Sequence, residues 1–119
     1  MFFITLIIMY QNSIIGQQQA SPLSDTDAFK KGKPSDRELH ELGLRISVKW
    51  SILGIRLGIS QSVLDWIDAE GRDKPFRMLL RWKTMTSSAT PYHDLYNALC
   101  YHRVGLNNLA KEFCCKETL

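Results

Sequence analysis

Apolar positions along this chain change their spacing twice. The opening run, MFFITLIIMY, is apolar almost throughout, but Gln11, Asn12 and Ser13 end it well short of the ~20 residues that a membrane-spanning helix needs. As a secretory signal it lacks basic residues ahead of the run, and the one small-residue cleavage site, Ala20 before Ser21, has Gln18 where a small side chain is preferred. A cleaved signal, or a weak anchor with Lys30, Lys31 and Lys33 on its cytoplasmic side, are the alternatives to an unstructured N-terminus, which is the expectation. Residues 17–34 then turn to Gln, Ser, Asp, Lys, Gly and Pro, too poor in apolar side chains to offset the entropy of ordering. They read as a linker, and the KKGK cluster within it reads as solvated rather than as a contact for acidic lipid or a partner.

After Pro34 the period becomes helical and stays so. Ser35 caps a first helix with Asp36 and Glu38 at its positive end, and Leu39, Leu42 and Ile46 recur at three- and four-residue spacing. A second helix spans about 49–57 with Trp50, Leu53 and Leu57 on one face, and Gly58 ends it. Ser60 caps a third whose inner face is Leu64, Ile67 and Val63, and Gly71 stops it. Asp73 and Pro75 open a fourth with Phe76, Met78, Leu79 and Trp82, and Thr90 with Pro91 starts a fifth facing inward through Leu95, Ala98, Leu99 and Val104. Gly105 separates it from a sixth with Leu106, Leu109, Ala110 and Phe113. No alternating strand pattern interrupts this series, so an all-α bundle of six short helices is predicted. The division is 1–34 for the N-terminus and linker, 35–115 for the domain and 116–119 for a tail.

Length and composition narrow the function. At 119 residues the chain holds one core, and 45% apolar with 23% charged residues is ordinary for a globular protein. A net charge of +3 is too mild to imply nucleic acid. Cys100, Cys114 and Cys115 are odd in number and two are adjacent, which suits a reducing compartment better than a disulfide framework and predicts a cytoplasmic protein. No phosphate loop, nucleophile elbow or Cys-x-x-C pair supports catalysis, and no cofactor or small-molecule substrate is expected. Cys100, His102, Cys114 and Cys115 lack zinc-ligand spacing, and His40 and His93 stand alone as surface polar residues. Trp50 and Trp82 fall on apolar faces and are expected in the core. Trp66 is out of phase with Leu64 and Ile67, so it should be at least partly exposed and is a candidate interface anchor.

The run WSILGIRLGISQSVLDWIDAEGRDKPFRMLLRWK followed by SATPYHDLYNALCYHRVGLNNLAKEF resembles the death domain family over about two thirds of the chain. The pieces that carry the resemblance are Trp50 with Leu53, the turn Leu57, Gly58, Ile59, Ser60, and Leu64 with Ile67. Met78, Leu79 and Trp82 follow, then Ala89 with Thr90, Leu95 with Ala98 and Leu99, and Leu109 with Ala110. TPYHDL departs from many members by one extra residue between Thr90 and Leu95. The resemblance implies an antiparallel, Greek-key-like six-helix bundle of the death fold. It also implies a non-enzymatic module that binds other death-domain proteins, itself included, in apoptotic or innate-immune signalling.

Charge placement supplies the candidate interaction residues. Asp65, Asp68, Glu70 and Asp73 cluster on and after the third helix, while Lys74, Arg77, Arg81 and Lys83 line the fourth. With Trp66 these suggest a bipolar surface on which one copy's acidic patch meets the next copy's basic patch. The competing class is a helix-turn-helix DNA reader in LGIRLGISQSVLDWI, with Gln61 and Ser62 opening the recognition helix. Asp65, Asp68 and Glu70 oppose it by carrying negative charge into the phosphate field, so no nucleic-acid partner is expected. A bundle with no specific partner is the third class. Membrane association is expected only through the N-terminal apolar segment.

Overall fold

Ser35 opens the first helix with a reciprocal cap: the Glu38 backbone N–H donates to its hydroxyl at 3.1 Å, and its own N–H donates to the Glu38 carboxylate at 3.0 Å. The computed structural model describes residues 28–116. The apolar opening, its signal and anchor alternatives, most of the linker and the tail beyond Lys116 lie outside the described residues. Within them the chain is all-helical: α1 (Asp36–Ile46), a 3-10 turn (Ser47–Lys49), α2 (Trp50–Arg56), α3 (Gln61–Glu70), α4 (Lys74–Met85), α5 (Pro91–Cys100) and α6 (Asn107–Cys114). Local signals account for the boundaries. Val63 N–H donates to the Ser60 hydroxyl at the head of α3, Pro75 and Pro91 sit in first turns where no amide hydrogen is missed, and Gly71 closes α3 in the left-handed region at φ 80°.

The core centres on α4, whose Met78 and Leu79 are wholly buried and whose Trp82 is 2% exposed. α1, α2 and α3 all pack on this helix, α5 pairs with α6, and α2 also touches α5. Two glycines allow the approach. A Cβ at Gly54 would stand 2.8 Å from Leu64 Cδ2 and 3.1 Å from Met78 Cγ, and one at Gly43 would stand 3.1 Å from the Phe76 backbone nitrogen. Leu39, Leu42, Ile46, Leu53, Leu64, Ile67, Leu95 and Leu99 complete an interior without buried charge among the described residues.

Three expectations change. Trp50 is half-buried rather than core, because it heads α2 directly after the 3-10 turn and lies over the polar edge of α3 beside Gln61, Asp65 and Asp68. Val104 is buried as predicted, but from the turn after α5. The boundary at Ser35 is too late: Phe29 is buried against α5, with ring centroids 4.6 Å from His93 and 5.0 Å from Tyr96, and Pro34 is buried too. Backbone bonds fasten this segment, Lys30 N–H donating to Cys114 O and Lys116 N–H to Ala28 O, each at 2.9 Å. A single aromatic ring repays the ordering of a short polar strap when α5 supplies a ready surface for it.

Phe29→Ala is therefore expected to destabilise the domain by about 3 kcal/mol, and Trp82→Ala by ~3 to 5 kcal/mol, enough to unfold so small a core. Chemical denaturation followed by circular dichroism measures both. An unchanged midpoint for Phe29→Ala would return residues 28–34 to the linker.

Candidate protein-interaction surfaces

The three residues between α3 and α4 turn the chain so tightly that the last turn of one helix faces the first turn of the next. Their charges consequently meet within the chain. Lys74 Nζ lies 2.7 Å from Asp68 Oδ1, Arg77 Nη1 lies 3.0 Å from Glu70 Oε1, and Lys83 Nζ reaches back to Asp36 Oδ1 of α1 at 2.9 Å. The expected division into an acidic face on α3 and a basic face on α4 is thus blurred, because two acids and two bases of the sets pair with each other, at exposed contacts of small energetic weight. Asp65 accepts from Gln61 Nε2 at 2.9 Å and so keeps its charge uncompensated. Asp73 is exposed at φ 47°, and Arg81 is exposed with no carboxylate partner among the described residues.

Trp66 stands where its phase predicts, 56% exposed on the side of α3 that faces α4. The Arg77 guanidinium lies 5.5 Å from its ring centroid, a cation–π contact that restrains the indole while Glu70, one turn further along α3, holds the same arginine. Beside it runs a shallow groove of about 180 Å³ floored by Val63, Ile67 and Leu80 and edged by Arg81 and Thr84. An exposed, restrained aromatic beside an apolar trough is the arrangement from which interface anchors are made.

Sequence reasoning missed a second surface. On the far side of α2 from Asp65 and Asp68, the residues Ile52, Ile55, Arg56, Tyr101 and Arg103 line a groove of about 230 Å³. The Arg56 guanidinium sits 4.1 Å from the Tyr101 ring centroid, and Lys49 Nζ donates to Arg103 O at 3.2 Å, which binds α2 to the turn after α5. The legible signal was negative: residues 47–64 and 95–111 contain no Asp or Glu at all.

A polar network ties the N-terminal strap to the bundle. The buried Tyr92 hydroxyl donates to Glu38 Oε1 at 2.7 Å, and Lys30 Nζ approaches Glu38 Oε2 at 3.5 Å while lying 5.5 Å and 5.4 Å from the Tyr92 and Phe113 ring centroids. Lys33 Nζ donates to Lys83 O at 2.9 Å, so two cations of the KKGK cluster are docked rather than free in solvent. Burial opposes the charge on Glu38, but the Tyr92 hydroxyl, the Ser35 N–H and Lys30 outweigh it and hold this carboxyl below its ordinary value. Burial pushes the Cys114 thiol up to about 12, which keeps it protonated and unreactive. His40 is exposed, edge-on to Phe76 at 5.1 Å, and His93 supports Phe29. Among the described residues no His, Cys, Asp and Glu side chains converge on a metal-binding geometry, and no helix is long and apolar enough to cross a membrane.

No family model, curated protein or solved structure matches the chain. Its functional reading rests on its own residues and geometry.

Tyr92→Phe is expected to cost about 1 kcal/mol at neutral pH, a figure that allows for solvent reaching part of the Glu38 side chain. Because the folded-state pKa of Glu38 is depressed, its contribution is complete above the ordinary value of 4.5 and is lost as pH falls below that through the depressed value. The gap between Tyr92→Phe and the parent should therefore narrow on the acid side, measured as melting temperature against pH.

Proposed function

We propose that the helical domain is a death-domain-like module that carries no catalysis and transmits signals in the cytoplasm by associating with other death domains, copies of itself included. The exposed Trp66, clamped beside an apolar groove by Arg77, carries this reading. An indole in this position costs little conformational entropy to immobilise and offers a large apolar area to a partner. The resemblance through Trp50, Leu53, Leu64, Ile67, Leu79, Trp82 and Leu109 supports the class, as does an all-helical core in which Leu53, Leu64, Ile67, Leu79, Trp82 and Leu109 are buried. Three free cysteines agree with a reducing compartment. Asp65, Asp68 and Glu70, all exposed on α3, disfavour its use as a DNA-reading helix.

Trp66→Ala should leave circular dichroism and thermal melting close to the parent, since most of the side chain is already in solvent. Self-association or capture of a second death domain should weaken about 30-fold, corresponding to ~2 kcal/mol for loss of an anchor. Light scattering measures the first and affinity capture from the protein's own cells the second. Retention on random duplex DNA in low salt, with no protein association, would replace this reading by a DNA-binding one.

A further inference from the structure

We infer that the basic groove between α2 and the turn after α5 rests on an anionic bilayer surface, with its arginines on lipid phosphates and its isoleucines at the headgroup boundary. The contact goes beyond the protein association proposed above and does not depend on it, since this groove and the one beside Trp66 share no lining residue.

Uncompensated positive charge is the first observation. Lys49, Arg56 and Arg103 approach no carboxylate within ion-pair distance among the described residues, and residues 47–64 and 95–111, which build the groove, contain no Asp or Glu. Arg56 is stacked at 4.1 Å on Tyr101, and Lys49 Nζ donates to Arg103 O at 3.2 Å. Both cations are thereby held in place with N–H donors still open to phosphate oxygens.

Apolar exposure in the same segment is the second. Val48 is 81% and Ile55 48% exposed, and with Ile52 they recur at four- and three-residue spacing through the 3-10 turn and α2, which sets them along one side. Ile52 and Ile55 line the groove together with Arg56. Nucleic acid would use the cations and leave these side chains in water, whereas a bilayer uses both: the apolar groups enter the headgroup boundary and the cations meet the negative surface. The acids agree with this seating. Asp65 and Asp68 lie across α2, beside Trp50 and Ser51, so a domain resting on its groove turns them away from the lipid phosphates. No helix among the described residues is long and apolar enough to cross a membrane, and the contact is one of surface alone.

The test measures co-sedimentation of the full chain with phosphatidylserine/phosphatidylcholine vesicles and with pure phosphatidylcholine vesicles. The ratio of the two affinities separates the electrostatic contact from any apolar binding, that of the opening run MFFITLIIMY included. The parent should prefer the phosphatidylserine vesicles, and the preference should shrink as salt rises. Arg56→Gln/Arg103→Gln should lower it roughly 30-fold, and Arg56→Lys/Arg103→Lys should retain most of it. Arg37→Gln/Arg72→Gln, an equal loss of charge from exposed arginines elsewhere, should lower it far less. Circular dichroism checks folding, and Ile55→Glu, which leaves both arginines in place, should also reduce the preference if the arginine variants lose helix. A parent with no phosphatidylserine preference overturns the inference. So does a preference that the two Gln pairs reduce alike, which would make it a response to net charge. Retention on duplex DNA, or capture of a protein, that Arg56→Gln/Arg103→Gln abolishes while vesicle binding is unchanged would overturn it as well and assign the groove to that partner.

Discussion

The contact on which the rest of the molecule depends is the close seating of α1 and α2 against α4. Gly54 places no atom between α2 and the Leu64 and Met78 side chains, and Gly43 lets the backbone of α1 rest almost directly on the start of α4 at Phe76. Met78, Leu79 and Trp82 are sealed from water only because these helices come so near. A core of this size has little reserve: a methyl group at Gly43 would press on the Phe76 backbone and push α1 from α4, and one at Gly54 would force the buried Leu64 and Met78 side chains to repack. Both surfaces argued for above depend on this seating, since α2 lies between the α3 edge and the basic groove.

How much of this was legible in the sequence follows from the range of the forces involved. Helix starts at Ser35, Ser60 and Pro91, the stop at Gly71, and the burial of Leu64, Ile67, Leu79 and Trp82 are set by neighbours a few residues away, and the pattern of the chain exposes them directly. Phe29 escaped because a lone aromatic in a polar stretch has no periodicity, and its partners His93 and Tyr96 are distant in sequence. Trp50 keeps the phase its spacing suggests and packs against the core, but only at its edge, because it opens α2 beside the polar side chains of Gln61, Asp65 and Asp68.

The charges show a different limit. Sequence reasoning placed the acids and bases on the correct helices but took each helix as a separate face. Helices α3 and α4 are joined by so short a turn that Asp68 with Lys74, and Glu70 with Arg77, are nearest neighbours. Charge that is paired at home contributes little to a partner's binding, so the useful quantity is the charge left over. That remainder includes Asp65, Arg72 and Asp73 near α3, Arg81 on α4, and the Lys49, Arg56 and Arg103 group, which was visible in the sequence only as two long stretches without a carboxylate.

The strap through Phe29 also bears on how the domain would carry a mechanical load. Ala28 and Lys116 are hydrogen-bonded to each other, so the chain enters and leaves the bundle at one point. A pull between the segments on either side would act first on the paired bonds Lys116 to Ala28 and Lys30 to Cys114, opening them one after another and not shearing them together. Tension would then lift Phe29 off α5 while α4 and its neighbours remain unloaded. The domain is thus built to peel at its entrance under low force before its core is asked to resist any.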